Sequence, residues 1–211
     1  MTEAIENRRV IIVRHGAVEP QWKTICYGAM DVPLCSVWMT ESQDLVSSLA
    51  KLRPSLILHS GLTRTRWLAE RIAVQMLADG TGVGKVLSDA CLRERNYGQW
   101  EGRTWDDVFA SDPEHFHDLV MKPETYRPPG GETTREMQLR MLEWFEQLPP
   151  LGTIIAISHS GPCASLAGAV LGLPADQWTN WMLGYGEAIV IESTDAMKNV
   201  FNVTRGIGER V

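Results

Sequence analysis

Positive charge is scarce in this chain: 20 Lys and Arg stand against 26 Asp and Glu, a net charge of −6 over 211 residues. That balance argues against nonspecific binding to nucleic acid or to an anionic membrane surface, and leaves room only for a local basic pocket. Cysteine is scarce too. Cys26, Cys35, Cys91 and Cys163 are scattered with no CxxC pair, which points to reduced thiols rather than a disulfide frame. No apolar run approaches the length of a membrane span. Met1 to Arg9 is charged and lacks an apolar h-region, so no secretory signal is expected and the chain is expected in the cytoplasm. No GxxxxGK loop and no GxSxG elbow occurs, which argues against a P-loop nucleotide site and an α/β-hydrolase triad. Linkers, repeats and low-complexity segments are missing as well, so residues 1–211 read as one domain.

What is present is ordinary for a globule with a sizeable core: 44% hydrophobic and 22% charged residues. Eight tryptophans are many for this length, and some are expected to line a pocket. Val10-Ile11-Ile12-Val13 reads as a strand buried on both faces. It ends in Arg14-His15-Gly16, where open α/β sheets place their ligands. Arg14 offers a planar fork for phosphate or carboxylate, His15 a nucleophile or proton carrier, and Gly16 a sharp turn or close approach. A solvated Arg-His pair is the plainer alternative. Ala17 to Met39 reads as a long irregular stretch, and a loop of that length is usually functional. Thr40 to Gln43 has the capping-box pattern and predicts a helix start at Thr40.

Leu56 to Leu58 predicts a second buried strand, Ser60-Gly61 its turn, and residues 62–77 a helix. Arg64 and Arg66 sit in that helix's first turns, where the dipole favours anions, so a bound anion would relieve Arg64 while Arg66 reads as solvated. Lys85 to Ser88 reads as a third strand, and Leu92 to Gly102 as a loop in which Glu94 lies between two arginines. Residues 105–127 are acidic and helix-leaning. Their His115 and His117 form an HxH pair with no third ligand suitably spaced, so no metal site is expected. Thr133 to Glu136 is a second capping box. Thr153 to Ile157 reads as a buried strand ending in Ser158-His159-Ser160-Gly161, at the N-terminus of an apolar helix whose free amides attract anions. Two last strands are expected at 187–192 and 199–204, with a turn at 193–198. Strands alternating with helices until a final pair predict a three-layer α/β sandwich: a mostly parallel central sheet with an antiparallel edge and helices on both faces.

In such a sheet Arg14, His15, Arg64 and His159 fall along one edge and can converge. Two guanidiniums, two imidazoles and a helix N-terminus suit a dianionic phosphate. The order of these residues resembles the histidine phosphatase superfamily, the phosphoglycerate mutase-like proteins. Arg14-His15-Gly16 is similar to its RHG signature, and Ser60-Gly61-Leu62-Thr63-Arg64 to S-P-L-x-R with Gly61 in place of proline. Leu92-Arg93-Glu94, Tyr97-Gly98 and Trp100-Glu101-Gly102 resemble the segment carrying the acid. Gly130-Gly131-Glu132-Thr133 resembles G-G-E-S, and Ser158-His159-Ser160-Gly161 resembles S-H-G-G. The loop Cys26-Tyr27-Gly28, with Asp31-Val32-Pro33-Leu34, looks like the α-ribazole phosphatase-type subgroup.

The resemblance implies a phosphatase without metal or cofactor, acting on a small phosphorylated metabolite. His15 would be phosphorylated, Arg14, Arg64 and His159 would hold the phosphoryl oxygens, and Glu94 would protonate the leaving group and then activate water. Tyr27, Gly28 and Ser160 are further candidates for substrate contacts. The family often continues RHG-x-T-x-x-N; here Val18 and Gln21 stand at those places, and only Gln21 can donate to phosphate. Mutase-type phosphoryl transfer and a non-catalytic binding protein on the same fold are the alternatives. No nucleic-acid or membrane partner is expected, and a homodimer stays open.

Overall fold

The computed structural model describes residues 7–82, 84–195 and 200–206. Six strands form one sheet in the order β3-β2-β4-β1-β5-β6. Strands β1 (Arg8–Arg14), β2 (Leu56–His59), β3 (Lys85–Ser88) and β4 (Gly152–Ser158) are mutually parallel. Strand β5 (Ala188–Asp195) runs antiparallel to β1, and β6 (Val200–Arg205) antiparallel to β5. The expected parallel sheet with an antiparallel edge is therefore present. Of the expected turn at 193–198, Ser193 to Asp195 instead belong to β5, and residues 196–199 lie outside the described residues.

The β-branched run of β1 explains its central place. Val10 through Val13 are all 0% exposed because alternate side chains feed two cores. Val10 and Ile12 pack with Met141, Phe145 and Leu166 from helices α6 and α7, of ranges Thr134–Glu146 and Ser160–Val170. Ile11 and Val13 pack with Val46, Leu49, Leu68 and Ile72 from α2 (Gln43–Lys51) and α3 (Thr63–Ala78). These are the two helical layers of the predicted sandwich. Thr133 caps α6 with its hydroxyl while Glu136 reaches back, the predicted capping box.

The other capping box does not form. Thr40 lies inside an earlier helix, α1 (Ser36–Glu41), where its hydroxyl donates to the Ser36 carbonyl at 3.2 Å. The chain bends at Ser42, and Gln43 bonds Ser47 and Gln75 instead of reaching back. Trp38, seated against Trp67 at 5.7 Å, holds α1 in place and overrides the local signal. The stretch 105–127 is two helices, α4 (Trp105–Ser111) and α5 (Pro113–Met121), capped by Thr104 and Asp112. Its Trp105, Phe116 and Tyr126 join a satellite core with Cys26, Trp100 and Val108, while Phe109 stays exposed. Among the described residues no helix is long and apolar enough to cross a membrane.

Candidate active site

Register brings the two histidines together. Arg14 pairs with Ser158 across β1 and β4, and the His15 amide donates to the Ser158 carbonyl at 2.9 Å. Both strands stop there, so His15 and His159 leave the sheet side by side, with ring centroids 5.0 Å apart. Strand β2, on the far side of β4, ends level with them, and Ser60 follows. Strand β2 also feeds α3, whose second residue is Arg64.

His15 is 1% exposed. Its Nδ1 lies 2.7 Å from the Gly16 carbonyl. A carbonyl only accepts, so the proton of the neutral ring stands on Nδ1 and the lone pair on Nε2. Burial holds the imidazole well below its usual pKa, helped by the Arg64 and Arg14 guanidiniums. The ring is therefore a neutral base with a free lone pair, the form a nucleophile needs. Gly16 is required by close approach, since a Cβ there would meet the Trp38 ring at 2.1 Å.

Arg64 is fully buried. It donates from Nε to His159 Nδ1 at 3.3 Å, from Nη2 to the Gly28 carbonyl at 2.7 Å, and from Nη1 to the Met30 carbonyl at 2.5 Å. At the N-terminus of α3 the Asp31 carboxylate accepts from the Thr63 amide at 2.7 Å and hydroxyl at 2.8 Å. Arg66 is exposed, 3.8 Å from Glu70. Arg14 donates to the Leu183 carbonyl at 2.6 Å. Its Nε is buried and has no hydrogen-bond partner among the described residues, a donor of the kind an oxyanion accepts.

Glu94 stands beside this cluster. Its carboxylate accepts from the Arg95 amide at 2.9 Å and meets the Gly161 amide of α7 at 3.5 Å. Burial raises its pKa above the usual carboxyl value, against the pull of those amides and of Arg64, so a protonated form is closer to reach. Arg140 ties the segment down by donating to the carbonyls of Cys91 and Glu94 while pairing with Glu132 at 2.7 Å. Here the Gly130-Gly131-Glu132 turn has its use. A Cβ on Gly131 would meet the Asn96 carbonyl at 2.5 Å, so only glycine lets the two loops touch.

The further candidates divide. Tyr27 and Gly28 reach the cluster: the Tyr27 ring lies 5.2 Å from the Arg64 guanidinium, and Gly28 supplies the carbonyl named above. Ser160 is committed to backbone, donating to the Leu183 carbonyl at 3.1 Å and accepting from the Leu183 amide at 3.0 Å. Gln21 stands exposed in the 3-10 turn Pro20–Trp22, and none of the described contacts joins it to the histidines. Val18 is buried, bridged to Leu34. His115 faces the Asp112 carboxylate at 2.6 Å, and among the described residues no group of three or more His, Cys, Asp or Glu could hold a metal.

Sequence reasoning missed Tyr185. Its ring lies 4.0 Å from the Arg14 guanidinium carbon and 5.7 Å from His15. It also neighbours Tyr27, whose phenol is pushed up to about 12, by burial first and then by Tyr185. A lone tyrosine between Gly184 and Gly186 carries no local signal. Only the antiparallel return of β5 beside β1 brings it over His15.

The profile of the histidine phosphatase superfamily, branch 1, matches residues 10–203. The chain belongs to that superfamily. As a histidine phosphatase superfamily member it is 30% identical over 182 residues to the glucosyl-3-phosphoglycerate phosphatase of Mycolicibacterium vanbaalenii, covering 81% of this chain and 77% of that one. It is 31% identical over 172 residues to the protein named "Probable phosphoglycerate mutase GpmB" of Escherichia coli O1:K1, covering 79% and 76%. The structure of the α-ribazole phosphatase from Shigella flexneri superposes with a TM-score of 0.77 at 20% identity, covering 95% of this chain and 96% of that one. At that identity the likeness speaks for the shared fold alone.

Proposed function

We propose that this chain is a metal-independent phosphomonoesterase that works through a phosphohistidine at His15. The observation that carries the reading is the His15 ring. It is buried and neutral, its Nδ1 proton is held by the Gly16 carbonyl, and its free Nε2 is flanked by His159 and two guanidiniums. In the first step Nε2 forms a bond to phosphorus as the ester P–O bond breaks, and Glu94 gives its proton to the departing alkoxide. In the second step Glu94, now a carboxylate, takes a proton from water as that water attacks phosphorus, releasing inorganic phosphate and restoring His15. Arg14, Arg64 and His159 stabilise the charge spread over the phosphoryl oxygens. Fixed cations supply what a metal supplies elsewhere, so the chemistry runs without one.

The substrate is a small phosphorylated metabolite. Its non-phosphate part meets the phenols of Tyr27 and Tyr185, and the protein acts in the cytoplasm. The three relatives carry names pointing to three different molecules, so the likeness leaves the leaving group open. A panel of sugar, nucleotide and glycerate phosphates, assayed for phosphate release with EDTA present, tests the reading. Turnover that survives EDTA, with an acid-labile phosphoenzyme, is expected; activity that needs added metal overturns it. The near-complete burial of both histidines also suits an enzyme that returns its phosphoryl group. Isomerisation of 3-phosphoglycerate without phosphate release would favour that mutase reading.

A further inference from the structure

Behind His159 lies a buried line of hydroxyls that the phosphoryl chemistry above does not use. Arg64 sets its direction. A guanidinium has donors only, so His159 Nδ1, 3.3 Å from Arg64 Nε, is an acceptor. A neutral imidazole carries one N–H, which then stands on Nε2. Nε2 lies 3.0 Å from Ser60 Oγ and donates to it. The Ser60 hydroxyl hands its own proton to Thr65 Oγ1 at 2.8 Å, and Thr65 donates to the Leu62 carbonyl at 2.8 Å. Each group has one proton and one direction in which to give it. His159, Ser60 and Thr65 are 0%, 1% and 0% exposed, so solvent offers no competing partner and the chain of bonds is held together.

We propose that Ser60 and Thr65 are positioning residues that hold His159 as its Nε2–H form, so that oxyanion binding beside Arg64 is coupled to uptake of a proton at His159 Nδ1. The inference rests on reading the cluster as a phosphoryl site. With Nε2 turned inward to Ser60, the anion can meet His159 only at Nδ1, by taking the place of that atom's bond from Arg64 Nε, and a lone pair cannot donate to a phosphoryl oxygen. The step is a protonation: a proton from the buffer forms the Nδ1–H bond, the hydrogen bond from Arg64 Nε to Nδ1 is given up, and Nε turns its donor to the oxyanion, so that in the complex Ser60 and Thr65 alone hold the Nε2–H in place. The groups facing His159 are Arg64 from α3, Arg14 and His15 from the end of β1, and Arg140 from α6, with Glu94 of the loop after β3 against the start of α7. Burial and these cations oppose the imidazolium. An arriving dianion reverses that balance by setting negative charge against it. Without the hydroxyl chain, neutral His159 could carry its proton on Nδ1 and meet the anion with no uptake.

Tungstate is a suitable probe, because it is a tetrahedral dianion that brings no proton of its own near pH 7.5. Its binding is followed calorimetrically in two buffers of different ionisation enthalpy, whose difference reads the protons taken up. All proteins carry Glu94→Gln, so that carboxyl contributes nothing. Thr65→Val keeps the shape and removes the hydroxyl. Ser60 is then released to donate to Nε2, and uptake should fall by about one proton per tungstate relative to the Glu94→Gln parent. Ser60→Ala should lose the same proton, and Thr65→Ser should keep it. Circular dichroism melts confirm that each variant is folded. Uptake that is unchanged in Thr65→Val, or equally lost in Thr65→Ser, overturns the inference while leaving the phosphoryl site intact. Failure of tungstate to bind the parent overturns the site itself, and the inference with it.

Discussion

In the proposed reaction His15 and Glu94 divide the chemistry between a base kept neutral and an acid kept protonatable; burial is the first cause of both pKa shifts. Replacing His15 by Ala removes the nitrogen assigned to the attack, so turnover and the acid-labile phosphoenzyme should vanish together; turnover at the wild-type rate would exclude His15 as nucleophile. Glu94→Gln should lower kcat by about 10²- to 10⁴-fold, the usual contribution of a positioned general acid. The same substitution should stabilise the fold. The pKa of Glu94 is raised in the folded state, so the cost of ionising it is absent below the ordinary carboxyl pKa and appears as pH rises through the folded value. Glu94→Gln should therefore melt above wild type at neutral pH and level with it near pH 4. A variant melting lower at pH 7 would show that the amides of Arg95 and Gly161 outweigh burial.

The ends of elements, rather than their middles, carry the site. Strand β1 can deliver His15 only because Gly16 passes beneath Trp38 of α1, with no room for a Cβ. Gly16→Ala should cost about 1–3 kcal/mol, as overpacking of a filled core does. Trp38→Leu in the same chain should recover part of it, read as a nonadditive double-mutant cycle by denaturant melts; strict additivity would mean the two do not collide. At the other end of the domain's chemistry, α6 begins at the Thr133–Glu136 capping box and carries Arg140, which ties down the Glu94 loop. Thr133→Ala should cost about 1 kcal/mol and shift activity less than stability. Capping boxes were only half legible. The pattern at Thr133 formed because a rigid Pro128-Pro129-Gly130 turn isolates it, whereas the pattern at Thr40 lost to the packing of Trp38 on Trp67.

Over the whole molecule, an acidic chain folds so that a cationic cluster is buried at one sheet edge. That arrangement makes stability depend on acid. His15 and His159 both have depressed pKa values, from burial first and then from neighbouring cations. Their contribution is present above about pH 6.5, the ordinary histidine value, and is lost as pH falls from there toward the folded values, because the unfolded chain takes up protons that the folded one refuses. The melting temperature should drop between pH 7 and pH 5, and the drop should shrink in His159→Gln. A saturating oxyanion should raise it, by about 2.7 kcal/mol of stability at one hundred times its dissociation constant. A flat profile, with or without oxyanion, would mean the histidines titrate normally.

The sequence by itself determined the α/β architecture and the order of Arg14, His15, Arg64, Glu94 and His159 along it. Buried strands, helical stripes and residues placed at strand ends are local properties, legible without knowing what touches what. Only the tertiary structure decided what those residues are chemically. The partners that set the tautomer of His159 lie 95 and 99 residues away in the chain, and the Tyr27 to Tyr185 contact is longer still. The crowding of Gly16 by Trp38 depends on α1, which the local pattern misplaced. Burial and hydrogen-bond partners fix protonation, and both come into being only when the β1–β4 register and the returning β5 bring distant segments to one edge.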